Sequence, residues 1–198
     1  MVNKKHKGPL TSMKPLIAAL ITITLFGTFV SFADEGTETR PPKVGDTAPD
    51  FLLQDVDEKE HSLKKLRGKV VFLIMGNRKI RKEDDKWAEA FQKDYQEITE
   101  VTAYIIADLR SVPGFIPKGF IRGQLKKNPP PVGFLLDWKG EVHERYQTEE
   151  KKPTLYLISQ KGTIVFHRKA NFKSEIYAEL KKEIDKLLEM AKNKDERK

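Results

Sequence analysis

The sequence predicts an α/β domain in which helices cover a central mixed β-sheet. Three observations predict it. Residues 70–75 and 102–107 are apolar runs enriched in β-branched side chains, the pattern of strands buried on both faces. Between them Trp87, Phe91 and Tyr95 recur at four-residue spacing beside Ala88 and Ala90, which marks one face of a helix. Near the C-terminus, the apolar runs 155–158 and 163–166 flank the turn Ser159-Gln160-Lys161-Gly162, a β-hairpin pattern. The alternation of strand and helix signals gives the fold class.

The elements are taken in chain order. Residues 1–33 carry Lys4, Lys5, Lys7 and Lys14, then an apolar run from Leu16 to Phe32, with no acid before Asp34. A basic flank, a short apolar stretch and small residues at Ser31 and Ala33 make the layout of an export signal cleaved after Ala33. The alternative is retention as a membrane anchor, although Thr22, Thr24, Gly27 and Thr28 interrupt the run and a span takes roughly 20 apolar residues. Met13-Lys14 is an alternative start that would make the signal more compact. Residues 34–43 read as a polar linker with Gly36, Pro41 and Pro42.

A folded domain is expected over 44–191. Phe51, Leu53 and Val56 alternate as a half-buried strand would, residues 55–60 are turn-like, and 62–66 fit one helical turn stopped by Gly68. Gly76-Asn77 ends the first buried strand. A helix over 83–97 opens with Glu83, Asp84 and Asp85, which suit the positive end of its dipole. Residues 108–127 read as a loop with a short helix around 120–125. Pro129, Pro130 and Pro131 form a rigid break before a strand at 132–136, a turn at 137–140 and a short helix over 141–147. Ile176, Leu180, Ile184, Leu187 and Leu188 then make the stripe of a last helix, followed by a charged tail over 192–198.

Composition excludes more chemistry than it suggests. The chain of 198 residues contains no cysteine, so disulfides, thiolate metal sites and every thiol-based mechanism are ruled out. The net charge of +8 falls to +4 when the leader's four lysines are set aside, because 33 basic residues then face 29 acidic ones. The basic excess is thus half a targeting device, and nucleic acid is not an expected partner. His61, His143 and His167 lack ligand spacing, so no metal is expected. No glycine-rich phosphate loop and no Gly-x-Ser-x-Gly elbow occurs, so no cofactor is expected.

Three segments carry a resemblance. They are Val44-Gly45-Asp46-Thr47-Ala48-Pro49-Asp50-Phe51, Leu66-Arg67-Gly68-Lys69-Val70-Val71-Phe72-Leu73, and Pro153-Thr154-Leu155-Tyr156-Leu157-Ile158 followed by Gly162-Thr163-Ile164. In this order the chain resembles the redoxins, the thioredoxin-like group of thiol–disulfide oxidoreductases and peroxiredoxins. The resemblance implies a thioredoxin-like fold with an N-terminal redoxin extension, and a cis bond at Lys152-Pro153. It also implies where thiols belong: eleven residues after the lysine matching Lys69, and three further on. Ile80 and Glu83 occupy those positions. Aligned to peroxiredoxins, the peroxide-reacting cysteine falls at Glu83 and its threonine partner at Ile80. A carboxylate can sit at a helix N-terminus but cannot reduce a disulfide or a peroxide.

The loop Asn77-Arg78-Lys79-Ile80-Arg81-Lys82 places Arg78, Lys79, Arg81 and Lys82 just before a helix. Two readings stand side by side: a docking patch for an acidic partner or small anion, and a solvated loop whose charges pair with Glu83, Asp84 and Asp85. With Pro153 and Thr154 it would line one groove. Together these features point to a periplasmic or secreted, redox-inactive binding or scaffolding module. It would take an acidic or extended polypeptide of the cell envelope, and would touch a membrane only if the leader is retained. The alternative is a redoxin-family oxidoreductase acting with a partner's thiols or by a non-thiol mechanism.

Overall fold

The two long apolar runs become the central strands of a seven-stranded mixed sheet in a computed structural model that describes residues 40–195. The expected leader (1–33), most of the linker and the last three residues lie outside the described residues. The strands are β1 (Leu52–Gln54), β2 (Glu60–Ser62), β3 (Val70–Asn77), β4 (Val101–Asp108), β5 (Gly133–Asp137), β6 (Thr154–Ile158) and β7 (Ile164–Lys169), in the spatial order β2-β1-β5-β4-β3-β6-β7. The helices are α1 (Arg81–Tyr95), α2 (Lys118–Lys127), α3 (Glu141–Arg145) and α4 (Ser174–Asp195). β3, β4 and β5 are parallel to one another; β6 and β1 run antiparallel to their neighbours β3 and β5.

The alternation of a strand's side chains divides the core into two layers. Val70, Phe72 and Ile74 of β3 face one layer, with Trp87, Phe91 and Tyr95 of α1 and Leu180 and Ile184 of α4. Val71, Leu73 and Met75 face the other, with Val142 of α3, Tyr146 and the entry-segment residues Ala48 and Phe51. That segment is tied to the β6–β7 hairpin: the Ala48 amide donates to the Gly162 carbonyl and the Ile164 amide to the Asp46 carbonyl, each at 2.9 Å. Gly162 makes the turn possible, because its φ of +84° is a conformation that side chains rarely adopt.

Several boundaries differ from expectation. β2 takes Glu60 from the stretch expected to be a turn and Ser62 from the expected helical turn; Glu60-His61-Ser62 lacks an apolar alternation because it is the sheet's edge. The turn at 62–66 is a 3-10 helix, Leu63–Leu66, capped by Ser62. Helix α1 begins two residues before Glu83. Helix α4 runs to Asp195, so the start of the expected charged tail is helical; Ala191 and Lys192 are good helix formers and no breaker intervenes.

Candidate functional site

In the parallel part of the sheet, Asn77, Asp108 and Asp137 stand side by side at the carboxyl ends of β3, β4 and β5. Open α/β sheets bind ligands outside this edge. Asn77 organises the basic loop after β3. Its side-chain oxygen accepts from the Lys79 amide at 2.8 Å, capping a 3-10 turn over Arg78–Ile80. Its Nδ2 donates to the Glu150 carbonyl at 2.9 Å.

The four loop cations divide into two kinds. Arg81 pairs with Asp85 at 2.7 Å and lies over the Phe134 ring, while Lys79 reaches Glu150 at 3.3 Å. Arg78 and Lys82 are exposed and have no ion-pair partner among the described residues. Of the three acids expected to neutralise the loop, Asp85 alone does so. Glu83 binds Lys86 at 2.6 Å and accepts from the Phe172 amide at 3.0 Å, and the Lys86 contact holds its carboxyl below the usual range. Ile80 is the N-terminal boundary residue of α1 and supplies no side-chain cap.

Pro153 and Thr154 are buried. Thr154 lies between Met75 of β3 and Lys169 of β7, and its hydroxyl accepts from the Glu149 amide at 3.3 Å. Ahead of this segment Glu150 contacts the basic loop, through its carbonyl to Asn77 and its carboxylate to Lys79. That residue carried no signal in the sequence, since an exposed glutamate beside Lys151 and Lys152 reads as solvated surface.

The least expected feature lies on either side of Gly76. On one side Asp84 is 1% exposed, and one of its carboxyl oxygens is buried with no hydrogen-bond partner. Desolvation, reinforced by the charge of Asp85, raises its pKa to about 8, so the group is mostly uncharged at neutral pH. Asp84 packs so closely that a Cβ at position 76 would overlap its carboxyl group. On the other side, His143 places Nε2 3.1 Å from the Gly76 carbonyl and Nδ1 2.8 Å from Asp137. The same Asp137 oxygen accepts from the backbone amides of Val142 and His143, each at 3.0 Å. Burial acts to raise the Asp137 pKa, but these hydrogen bonds outweigh it and hold the carboxyl below its ordinary value.

Asp84 also forms part of the wall of a pocket of about 170 Å³ bounded by the start of α1, the ends of β4 and β5, and α2. Its other walls are mainly apolar: Ile105, Leu109, Val112, Leu125 and Phe134. Of its lining residues, Arg78 and Gln124 are the exposed ones and mark the mouth. Among the described residues no cluster of His, Asp or Glu could hold a metal ion, and no helix is long and apolar enough to cross a membrane.

The AhpC/TSA family model matches residues 44–167. The chain belongs to the AhpC/TSA family. Within this redoxin group it is similar to the thiol-disulfide oxidoreductase ResA of Bacillus cereus, at 29% identity over 165 residues, covering 75% of this chain and 91% of that protein. Its fold is thioredoxin-like. It superposes with a TM-score of 0.60 on a putative thiol:disulfide interchange protein DsbE from Chlorobium tepidum, at 21% identity, covering 74% of this chain and 99% of that one. A putative protein disulfide isomerase from Bacteroides thetaiotaomicron matches equally well, at TM-score 0.60 and 22% identity over 75% of this chain and 91% of its own. Against these relatives stands the composition: this family member has no cysteine.

Proposed function

We propose that this AhpC/TSA-family protein is a redox-inactive binding module of the cell envelope. On this reading it holds an acidic, extended polypeptide at the end of the sheet where its relatives are expected to carry thiols. One observation carries the reading. Arg78 and Lys82 stay exposed and unpaired among the described residues, beside Ile80 and Glu83, which stand where the redoxin resemblance places thiols. A module that neither attacks nor resolves a disulfide retains the recognition part of that surface. Glu150 holds Lys79 through an ion pair whose two side chains are 69% and 77% exposed. Exposed pairs of this kind are weak, so a partner's carboxylate can replace Glu150. The basic leader and its apolar run support export.

The test is titration of the purified protein with a short Glu-rich peptide, read by fluorescence anisotropy at low and high salt. Binding that weakens with salt and is lost in Arg78→Glu/Lys82→Glu, with the melting temperature unchanged, is the expected result. Equal binding by that variant overturns the reading. Mass spectrometry of the mature N-terminus checks export: a start at Asp34 is expected, and an intact leader contradicts cleavage.

A further inference from the structure

We propose that the pocket between α1, β4, β5 and α2 binds a small, uncharged molecule with an apolar body and one hydroxyl group, a compound of the phenol class, whose hydroxyl meets the Asp84 carboxyl. The pocket shares Asn77, Arg78 and Arg81 with the basic loop, but the inference does not rest on the polypeptide reading.

Size is the first argument. The pocket holds about 170 Å³, and apolar cavities of roughly 150 Å³ accommodate a benzene-sized guest. The walls are the second. Ile105, Leu109, Val112, Leu125 and Phe134 offer contact area and no hydrogen bonds, so a ligand must bring an apolar body. Asp84 is the third. Buried polar atoms in folded proteins nearly always have a partner, and its Oδ1 has none among the described residues. Asp84 also lines the pocket, so a ligand hydroxyl seated there would lie beside its carboxyl group.

Charge narrows the ligand further. An uncharged carboxyl is both donor and acceptor, and a hydroxyl group matches it in either sense. A cationic ligand would have to pass Arg78 and Arg81, which line the pocket. An anionic ligand seated against Asp84 would leave its charge in an apolar interior, because Arg78, unpaired among the described residues, stands at the exposed mouth and Asp85 holds Arg81 at 2.7 Å. A neutral hydroxyl compound meets neither obstacle.

The experiment titrates the purified full chain, labelled at Ile, Leu and Val methyl groups, with phenol and separately with toluene, and follows methyl NMR shifts. Phenol is expected to give saturable shifts at Ile105, Val112 and Leu125. Asp84→Leu keeps an apolar lining and removes the hydrogen bond, so the phenol-to-toluene affinity ratio should fall about three- to tenfold. Asp84→Asn keeps a hydrogen-bonding group and should retain most of that ratio. Ala107→Leu, which fills the pocket, should abolish both shifts. Absence of saturable shifts overturns the proposal. So does an unchanged ratio in Asp84→Leu, or undiminished binding in Ala107→Leu.

Discussion

Replacing Asp84 by Asn should stabilise the protein by an amount that grows with pH. In the native state its carboxyl is raised from 3.8 to about 8, chiefly by desolvation, with Asp85 and Glu83 adding to the rise and Arg81 opposing it. The native state therefore binds a proton that the unfolded state has released across this whole interval. Below pH 4 both states are protonated and burial of the carboxyl carries no charge penalty. As pH rises toward 8 the native state is progressively penalised, by about 1.4 kcal/mol per pH unit. At pH 7 the accumulated penalty is roughly 4 kcal/mol, a large share of the 5–15 kcal/mol typical of a domain. Asn has the same shape and does not ionise. Its buried amide adds an offset that does not depend on pH. The assay is urea unfolding of wild type and Asp84→Asn at pH 5, 6, 7 and 8, comparing the stability difference at each pH. That difference should widen by about 1.4 kcal/mol per unit up to pH 7, by about 1 kcal/mol more between pH 7 and 8, and level off only above 8. A difference constant to within about 0.5 kcal/mol from pH 5 to 8 refutes the buried, protonated carboxyl.

Three other perturbations probe the same region. Gly76→Ala should cost about 1–3 kcal/mol by driving a methyl group into Asp84, and in the Asp84→Ala background that cost should largely vanish; urea melts of the four-member cycle measure the coupling. Asp137→Ala should cost roughly 3–5 kcal/mol at neutral pH, since it strips three hydrogen bonds from buried donors. Because the Asp137 pKa is held low, wild type keeps this contribution at neutral pH and loses it as pH falls below about 4, so the variant's deficit should shrink in acid melts. Lys79→Ala should change stability by less than about 1 kcal/mol, because the pair with Glu150 is exposed, and differential scanning calorimetry would show it.

The elements legible in the sequence were those that burial writes as a pattern. The β3 and β4 runs, the Trp87–Phe91–Tyr95 stripe and the last hairpin all appear in place, because a strand or helix face that enters a core must be apolar at its own period. The edge strand β2 left no such pattern: Glu60 is exposed, His61 is half-buried, and Ser62 is spent capping the next turn. Asp84 was hidden by its neighbours, since an acidic triplet at a helix start reads as charge for the dipole. A signal was nevertheless present. Counting back from Phe91 through Trp87 and Ala88, the buried stripe reaches position 84, and Gly76 stands alone among bulky residues where something must approach closely. The Asp137–His143 contact left no mark of this kind, because the Gly140 turn that folds α3 back onto β5 creates it.

The proposed redox inactivity of this family member rests on its lack of cysteine, with Ile80 and Glu83 where the redoxin resemblance places thiols. The most direct measurement is dithiothreitol-driven insulin reduction, with hydrogen peroxide consumption run in parallel, on the purified unmodified protein beside its Ile80→Cys/Glu83→Cys variant. The account predicts that the unmodified protein is indistinguishable from buffer in both assays. Turnover above buffer by the unmodified chain would contradict it.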